Sequence, residues 1–213
     1  MMAGVRNQIL AAVVLAAATY GVLLRIAESK VETSVGGAGF PLDDTRHAEL
    51  AAFQRLGTSL AEIGQQALAG RLERLRQDGA IWVAPALGPD RWAVFAESLR
   101  LVRRIYIRRL ALLDPRAHLY PVTPADIPDA NQSAFAWISL AGALRHELAH
   151  SDGMTEEAGA YAAEIAWYEG LRASPWLASL AGERRRVFDW ALESAVLTAR
   201  RAREKAARAP RAQ

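Results

Sequence analysis

The chain has 213 residues, a formal net charge of +3, 52% hydrophobic residues and no cysteine. That length suits one domain with appendages, and the missing cysteines exclude disulfides and thiolate ligands, so any metal must be held by histidine and carboxylate. The mild positive charge gathers in Arg200, Arg201, Arg203, Lys205, Arg208 and Arg211. It predicts a basic, solvated tail over 200–213 and no nucleic-acid partner.

Ile9 to Leu24 is almost wholly apolar, with Arg6 before it and Arg25 after it. A run with no polar face predicts a membrane anchor over residues 1–27, with a cleaved secretory signal as the alternative. The domain is then expected outside the cytoplasm, either membrane-anchored or exported after signal cleavage. Residues 28–40 are polar and then carry Gly36-Gly37-Ala38-Gly39, which predicts a flexible linker.

Asp43-Asp44-Thr45 places carboxylates near a helix start. Leu50, Phe53, Leu56, Leu60, Ile63, Leu68, Leu72 and Leu75 then form a helical stripe to about Gln77, weakened at Gly57, Gly64 and Gly70. His47, near the start, reads as a solvated or capping residue. Ile81–Ala84 predicts a short strand before Pro85. Asp90–Leu99 predicts a helix that turns Trp92, Phe95 and Leu99 inward. Val102–Arg108 predicts a strand, and Arg103, Arg104, Arg108 and Arg109 are expected to be solvated or paired with acids. Asp114–Asn131, with Pro115, Pro121, Pro124 and Pro128, predicts a long loop able to line a cleft.

Ser133–Ser151 has no internal proline, and Phe135, Trp137, Ile138, Leu140, Leu144 and Leu148 give it a broad apolar surface. Its end reads His146-Glu147-Leu148-Ala149-His150, the pattern H-E-x-x-H. Residues i and i+4 share a helix face, so His146 and His150 can reach one ion. Glu147 lies about 100° around from His146 and can meet a water without being a ligand. A buried helix with such a polar edge needs partners for it, and a metal supplies them. Two histidines do not complete a catalytic zinc site, so a third protein ligand is expected. Asp152-Gly153 breaks the helix. Thr155 can cap the next one, which runs to about Arg172 and carries Glu157, Tyr161, Glu164 and Tyr168 on one stripe. Pro175 marks a boundary, and Trp176 to about Ala207 forms one or two helices.

From Leu144 to Ile165, His-Glu-Leu-Ala-His followed by Glu157-Ala158-Gly159-Ala160-Tyr161-Ala162-Ala163-Glu164 resembles the bacterial gluzincins, zinc peptidases with a thermolysin-like site. Many of them carry Glu-Ala-x-x-aromatic-Ala-x-Glu on the next helix, and its first Glu completes the zinc site. The resemblance implies that Glu157 joins His146 and His150 as a Zn2+ ligand. Six residues separate His150 from Glu157, a shorter connection than is usual in the group, so Glu164 stands as the alternative ligand, with Glu156 and Asp152 behind it. The implied fold is mainly α (α+β): a zincin-like helical domain over 41–199 with a small edge strand or sheet, preceded by the hydrophobic segment. The implied activity is hydrolysis of a peptide or protein substrate, with Glu147 as general base. Tyr161, Tyr120 or Tyr106 would stabilise the oxyanion, and Val102–Arg108 would be the substrate-binding edge. The competing expectation is a non-catalytic, membrane-tethered helical interaction module whose H-E-x-x-H is structural or coincidental.

Overall fold

The computed structural model describes residues 2–88, 90–118 and 127–208, with side chains from Val13 onward. The protein is mainly helical with one four-stranded sheet. Helix α1 spans Met2–Ser34, and strand β1 is Phe40–Pro41. Helices α2 (His47–Glu62) and α3 (Gln66–Gln77) follow. Strands β2 (Ile81–Ala84), β3 (Ala93–Ser98) and β4 (Val102–Arg108) complete the sheet in the order β1-β2-β4-β3. Short helices α4 (Arg109–Leu113) and α5 (Pro115–His118) lead towards the long α6 (Asp129–Ser151). Helices α7 (Glu157–Arg172), α8 (Pro175–Ser179) and α9 (Gly182–Arg208) end the described chain.

The sheet separates two apolar layers. Ile81, Val83, Ala93, Ile105 and Ile107 face the helical layer, where they meet Leu56, Leu60, Ile138, Leu144, Leu148, Tyr168 and Leu192. On α6, Ile138, Leu140, Leu144 and Leu148 are at most 1% exposed. Truncating any of them to alanine costs about 2–5 kcal/mol. The other face carries Ala84, Ala96, Val102 and Tyr106, and the C-terminal part of α1 covers it with Ala27 and Val31, joined by Val35 just after the helix. Alternation along β3 and β4 therefore fills both layers, as period-two side chains in a covered sheet must.

Several expectations need correction. Asp90–Leu99 is not a helix; its apolar spacing fits one, but hairpin pairing with β4 overrides that pattern. Ala93 pairs with Ile107, Phe95 with Ile105 and Ser98 with Val102. The connecting turn places Leu99 and Arg100 at φ 52° and 56°, with Leu101 N–H donating to the Ser98 carbonyl at 3.0 Å. This is the backbone of a type I′ turn, normally given to Asn and Gly. Holding other side chains there costs about 1–2 kcal/mol per residue. Val102–Arg108 is a strand, but β2 and β4 pair in parallel on its other side, so it is interior and β3 is the edge.

The stripe of residues 47–77 is divided into two helices at Gly64. The expected linker is helical as far as Ser34, because Val31 and Val35 bury their side chains on the sheet. Thr155 does not cap α7; Glu156 takes the N-cap position without a side-chain bond. The expected loop 114–131 contains α5 and the start of α6, and Tyr120 lies outside the described residues. The C-terminal helix continues to Arg208, into the expected tail. The four arginines around β4 all find partners: Arg103 pairs with Glu97, Arg104 with Glu28, Arg109 with Glu49, and Arg108 donates to His118. His47 is exposed at the start of α2.

His118 ties the approach to α6 onto the sheet. Its Nδ1 accepts from Arg108 Nη1 at 2.7 Å, and its ring packs at a tilt against Trp92 with centroids 4.1 Å apart. Burial, and then the Arg108 charge, pull its pKa down to about 4. The unfolded chain takes up this proton near pH 6.5. The stabilisation is therefore complete above that pH and is lost as pH falls towards about 4. Thermal unfolding at neutral pH and near pH 4.5 should show a smaller acid-induced drop in Tm for His118→Gln than for the parent; equal drops would contradict this role.

Candidate metal centre

Helix α6 brings His146 and His150 onto one face, and α7 folds back to place Glu157 against both. Gly153, at φ 99°, makes the reversal possible, since a side chain there would be strained. Arg71, on α3, grips Asp152 through two hydrogen bonds and holds the turn to the helical layer. His146 Nε2 and His150 Nε2 are 3.2 Å apart. Glu157 Oε2 lies 3.2 Å from the first and 3.7 Å from the second. In a tetrahedral zinc site with bonds of about 2.0–2.2 Å, donor atoms stand about 3.3–3.6 Å apart. The triangle has that size, and these three residues could hold a metal ion.

The nitrogen on the far side of each ring has its own partner. His150 Nδ1 lies 2.6 Å from the Met154 carbonyl oxygen. A carbonyl only accepts, so Nδ1 carries the proton and Nε2 presents its lone pair to the triangle. His146 Nδ1 faces Glu164 Oε2 at 3.3 Å, a charge contact off the line of a hydrogen bond. Glu164 Oε1 in turn accepts from the Tyr168 hydroxyl at 2.8 Å. Supporting carboxylates and carbonyls of this kind orient histidine ligands and fix their tautomer. The relay needs Gly142: a Cβ on that residue would lie 1.9 Å from the Tyr168 hydroxyl oxygen. Glu164, the alternative ligand, thus stands behind His146 rather than beside the other donors. Asp152 is taken by Arg71, and Glu156 lies outside the donor group.

The electrostatics suit a cation. Burial pulls His146 down, but contacts with Glu157 and Glu164 outweigh it and raise its pKa to about 9. Glu157 raises His150 against the opposing effect of burial. The same contacts with His146 and His150 hold the Glu157 carboxyl far below the ordinary carboxylate range. Three carboxyl groups, those of Glu147, Glu157 and Glu164, thus surround the two imidazoles. His146 and His150 are largely buried, whereas the Glu157 side chain is 63% exposed, so the centre opens to solvent on the α7 side.

Glu147 is 8% exposed and takes no part in the donor triangle. Its Oε2 accepts from the Phe95 N–H, on edge strand β3, at 2.6 Å. Burial lifts its carboxyl to about 7, against the pull of His146, the Phe95 N–H and His150. Tyr161 packs edge-on against the His146 ring with centroids 4.3 Å apart, and burial raises its hydroxyl to about 12. Tyr106 is fully buried in the layer under α1, remote from this group. Sequence reasoning missed the Met154 carbonyl and the Phe95 N–H, because backbone groups leave no residue-type signature. A glycine inside the apolar helix α6 was a signal for the Tyr168 relay. Comparison with protein-family models, curated proteins and solved structures found no match to this chain.

The geometry separates the two acidic candidates. Glu157→Ala should abolish tight metal binding, whereas Glu164→Ala should keep the metal with an affinity weakened about 10–100-fold. Competition titration with a chromogenic chelator measures both; unchanged affinity in Glu157→Ala would rule out its role as a ligand.

Proposed function

We propose that the chain is a membrane-anchored zinc metallopeptidase of the zincin type, with the gluzincin arrangement of His146, His150 and Glu157 as ligands. The observation that carries this reading is Glu147: a buried carboxylate beside the donor triangle, outside it, and held by a backbone N–H of edge strand β3. A purely structural metal site has no use for such a group. Zinc is the proposed ion because two imidazoles and one carboxylate, with a position left open, match its catalytic sites.

Zinc, when bound, supplies a Lewis acid that acidifies water and polarises a carbonyl. Glu147 accepts the proton of the attacking water and delivers it to the leaving amine. A carboxyl raised towards neutrality by burial suits both transfers. The Phe95 N–H holds one carboxylate oxygen, leaving the other to meet the water. The Tyr161 hydroxyl is the proposed donor to the developing oxyanion; it stays protonated and makes no hydrogen bond among the described residues. The outer edge of β3 offers its backbone to an extended peptide, the common mode of strand addition.

The membrane part of the proposal rests on α1. Val13, Val14, Leu15, Tyr20, Val22, Leu23 and Ile26 are exposed, an apolar surface that water disfavours. Among the described residues no helix is long and apolar enough to cross a membrane; the proposed anchor includes the apolar residues from Ile9 onward. The domain is proposed to stand outside the cytoplasm.

Glu147→Gln should keep stoichiometric zinc and lose cleavage of a mixed peptide library by about 10²–10⁴-fold, read by mass spectrometry of new termini. Equal turnover by mutant and parent would overturn the peptidase reading and leave a structural metal site.

A further inference from the structure

We infer that the β3–β4 turn, Leu99-Arg100, is a membrane-contact tip that seats the domain against an anionic lipid surface. This rests on the proposed anchoring of α1. The two elements run side by side in matched order. Just past the C-terminal end of α1, the chain lies against the turn after β2 and the late part of β4: Gly36 approaches the Ala86 carbonyl, and Gly39 approaches the Tyr106 ring. Further back, Glu28 pairs with Arg104 at 3.1 Å. Leu24 and Leu101 then both pack on the same buried cluster as Val102. Moving back along α1 therefore follows Tyr106, Arg104 and Val102 towards the turn. The helix leaves the domain at the level where the hairpin ends, and beyond that level the described apolar side chains, from Val13 to Leu23, are bare.

The turn itself is unusual in ways that fit this position. Leu99 is 50% exposed and sits in the left-handed region, as does Arg100. Neither residue type favours that backbone, and half of Leu99 stays out of the core. An apolar tip beside a basic residue is what an interfacial contact requires: Leu enters the acyl boundary while Arg stays among headgroups. The charges agree. Glu28 is paired with Arg104, and Glu97 with Arg103. Arg25 and Arg100 are exposed and have no ion-pair partner among the described residues, whereas Glu32, beside Lys30, lies further from the turn near Tyr106. That leaves positive charge where α1 and the tip would meet phosphate headgroups. Because β3 ends in this turn, the contact also presents the edge strand end-on to the membrane.

The chain has no cysteine, so a single introduced one labels uniquely. Leu99→Cys, Val14→Cys and Glu193→Cys, each in the full chain, are labelled with NBD and reconstituted into vesicles of phosphatidylcholine and phosphatidylglycerol. Glu193 is exposed on α9, in the opposite layer. The expected result is a blue-shifted, several-fold brighter signal at positions 14 and 99 relative to 193. Position 99 should be quenched by lipids spin-labelled near the headgroup, and position 14 by lipids labelled deeper in the chain. If position 14 responds while 99 matches 193, the tip proposal fails and the anchor stands. If both match 193, the anchoring reading fails and the tip proposal fails with it.

Discussion

The reversal between α6 and α7 is the constraint on which the rest of the site depends. Six residues must carry the chain from His150 to Glu157, and the two helices must end up close enough to share one ion. Gly153 supplies the backbone conformation, and Arg71 pins Asp152. The same turn delivers the Met154 carbonyl to His150 Nδ1 at 2.6 Å. One short segment thus sets the spacing of the candidate ligands and the tautomer of one of them.

Behind that turn, burial does the remaining work. The apolar faces of α6 and α7 lock the helices together, with Leu144, Leu148, Tyr168 and Leu171 almost wholly enclosed. In that environment, unpaired polar groups are costly, and the structure answers with nested contacts: His146 to Glu164, and Glu164 to Tyr168. The sheet contributes through its edge. Strand β3 packs beside α6, and one N–H of that edge reaches Glu147. The proposed general base is thereby positioned by the element that would also receive a peptide. This coupling of base and edge strand gives the proposed hydrolysis its structural logic.

How much of this was legible beforehand varies with the kind of signal. The His146–His150 spacing and the helices from Ser133 onward follow from helical periodicity, Glu157 was implied by the resemblance to the gluzincins, and the structure brings the three donors together. Strands Ile81–Ala84 and Val102–Arg108 were legible from β-branched runs. Strand β3 was not, because Trp92, Phe95 and Leu99 repeat at a spacing that suits a helix equally well. Only pairing with β4, a long-range term, decides between them. The role of Glu164 was half legible: its stripe was visible, but whether it reaches the metal side or the far side of His146 depends on the depth at which Gly142 lets Tyr168 pack. The helical link from α1 into the domain was hidden for a similar reason, since Val31 and Val35 are buried only by the strands they cover.

The central claim is that two imidazoles and the Glu157 carboxylate converge on one zinc ion. Zinc K-edge absorption spectroscopy of the full-length protein, purified without chelators, tests it most directly. The account predicts about one zinc per chain in a four-coordinate shell of nitrogen and oxygen, with scattering from two imidazole rings. Protein that binds no zinc, or a shell containing fewer than two imidazoles, would contradict it.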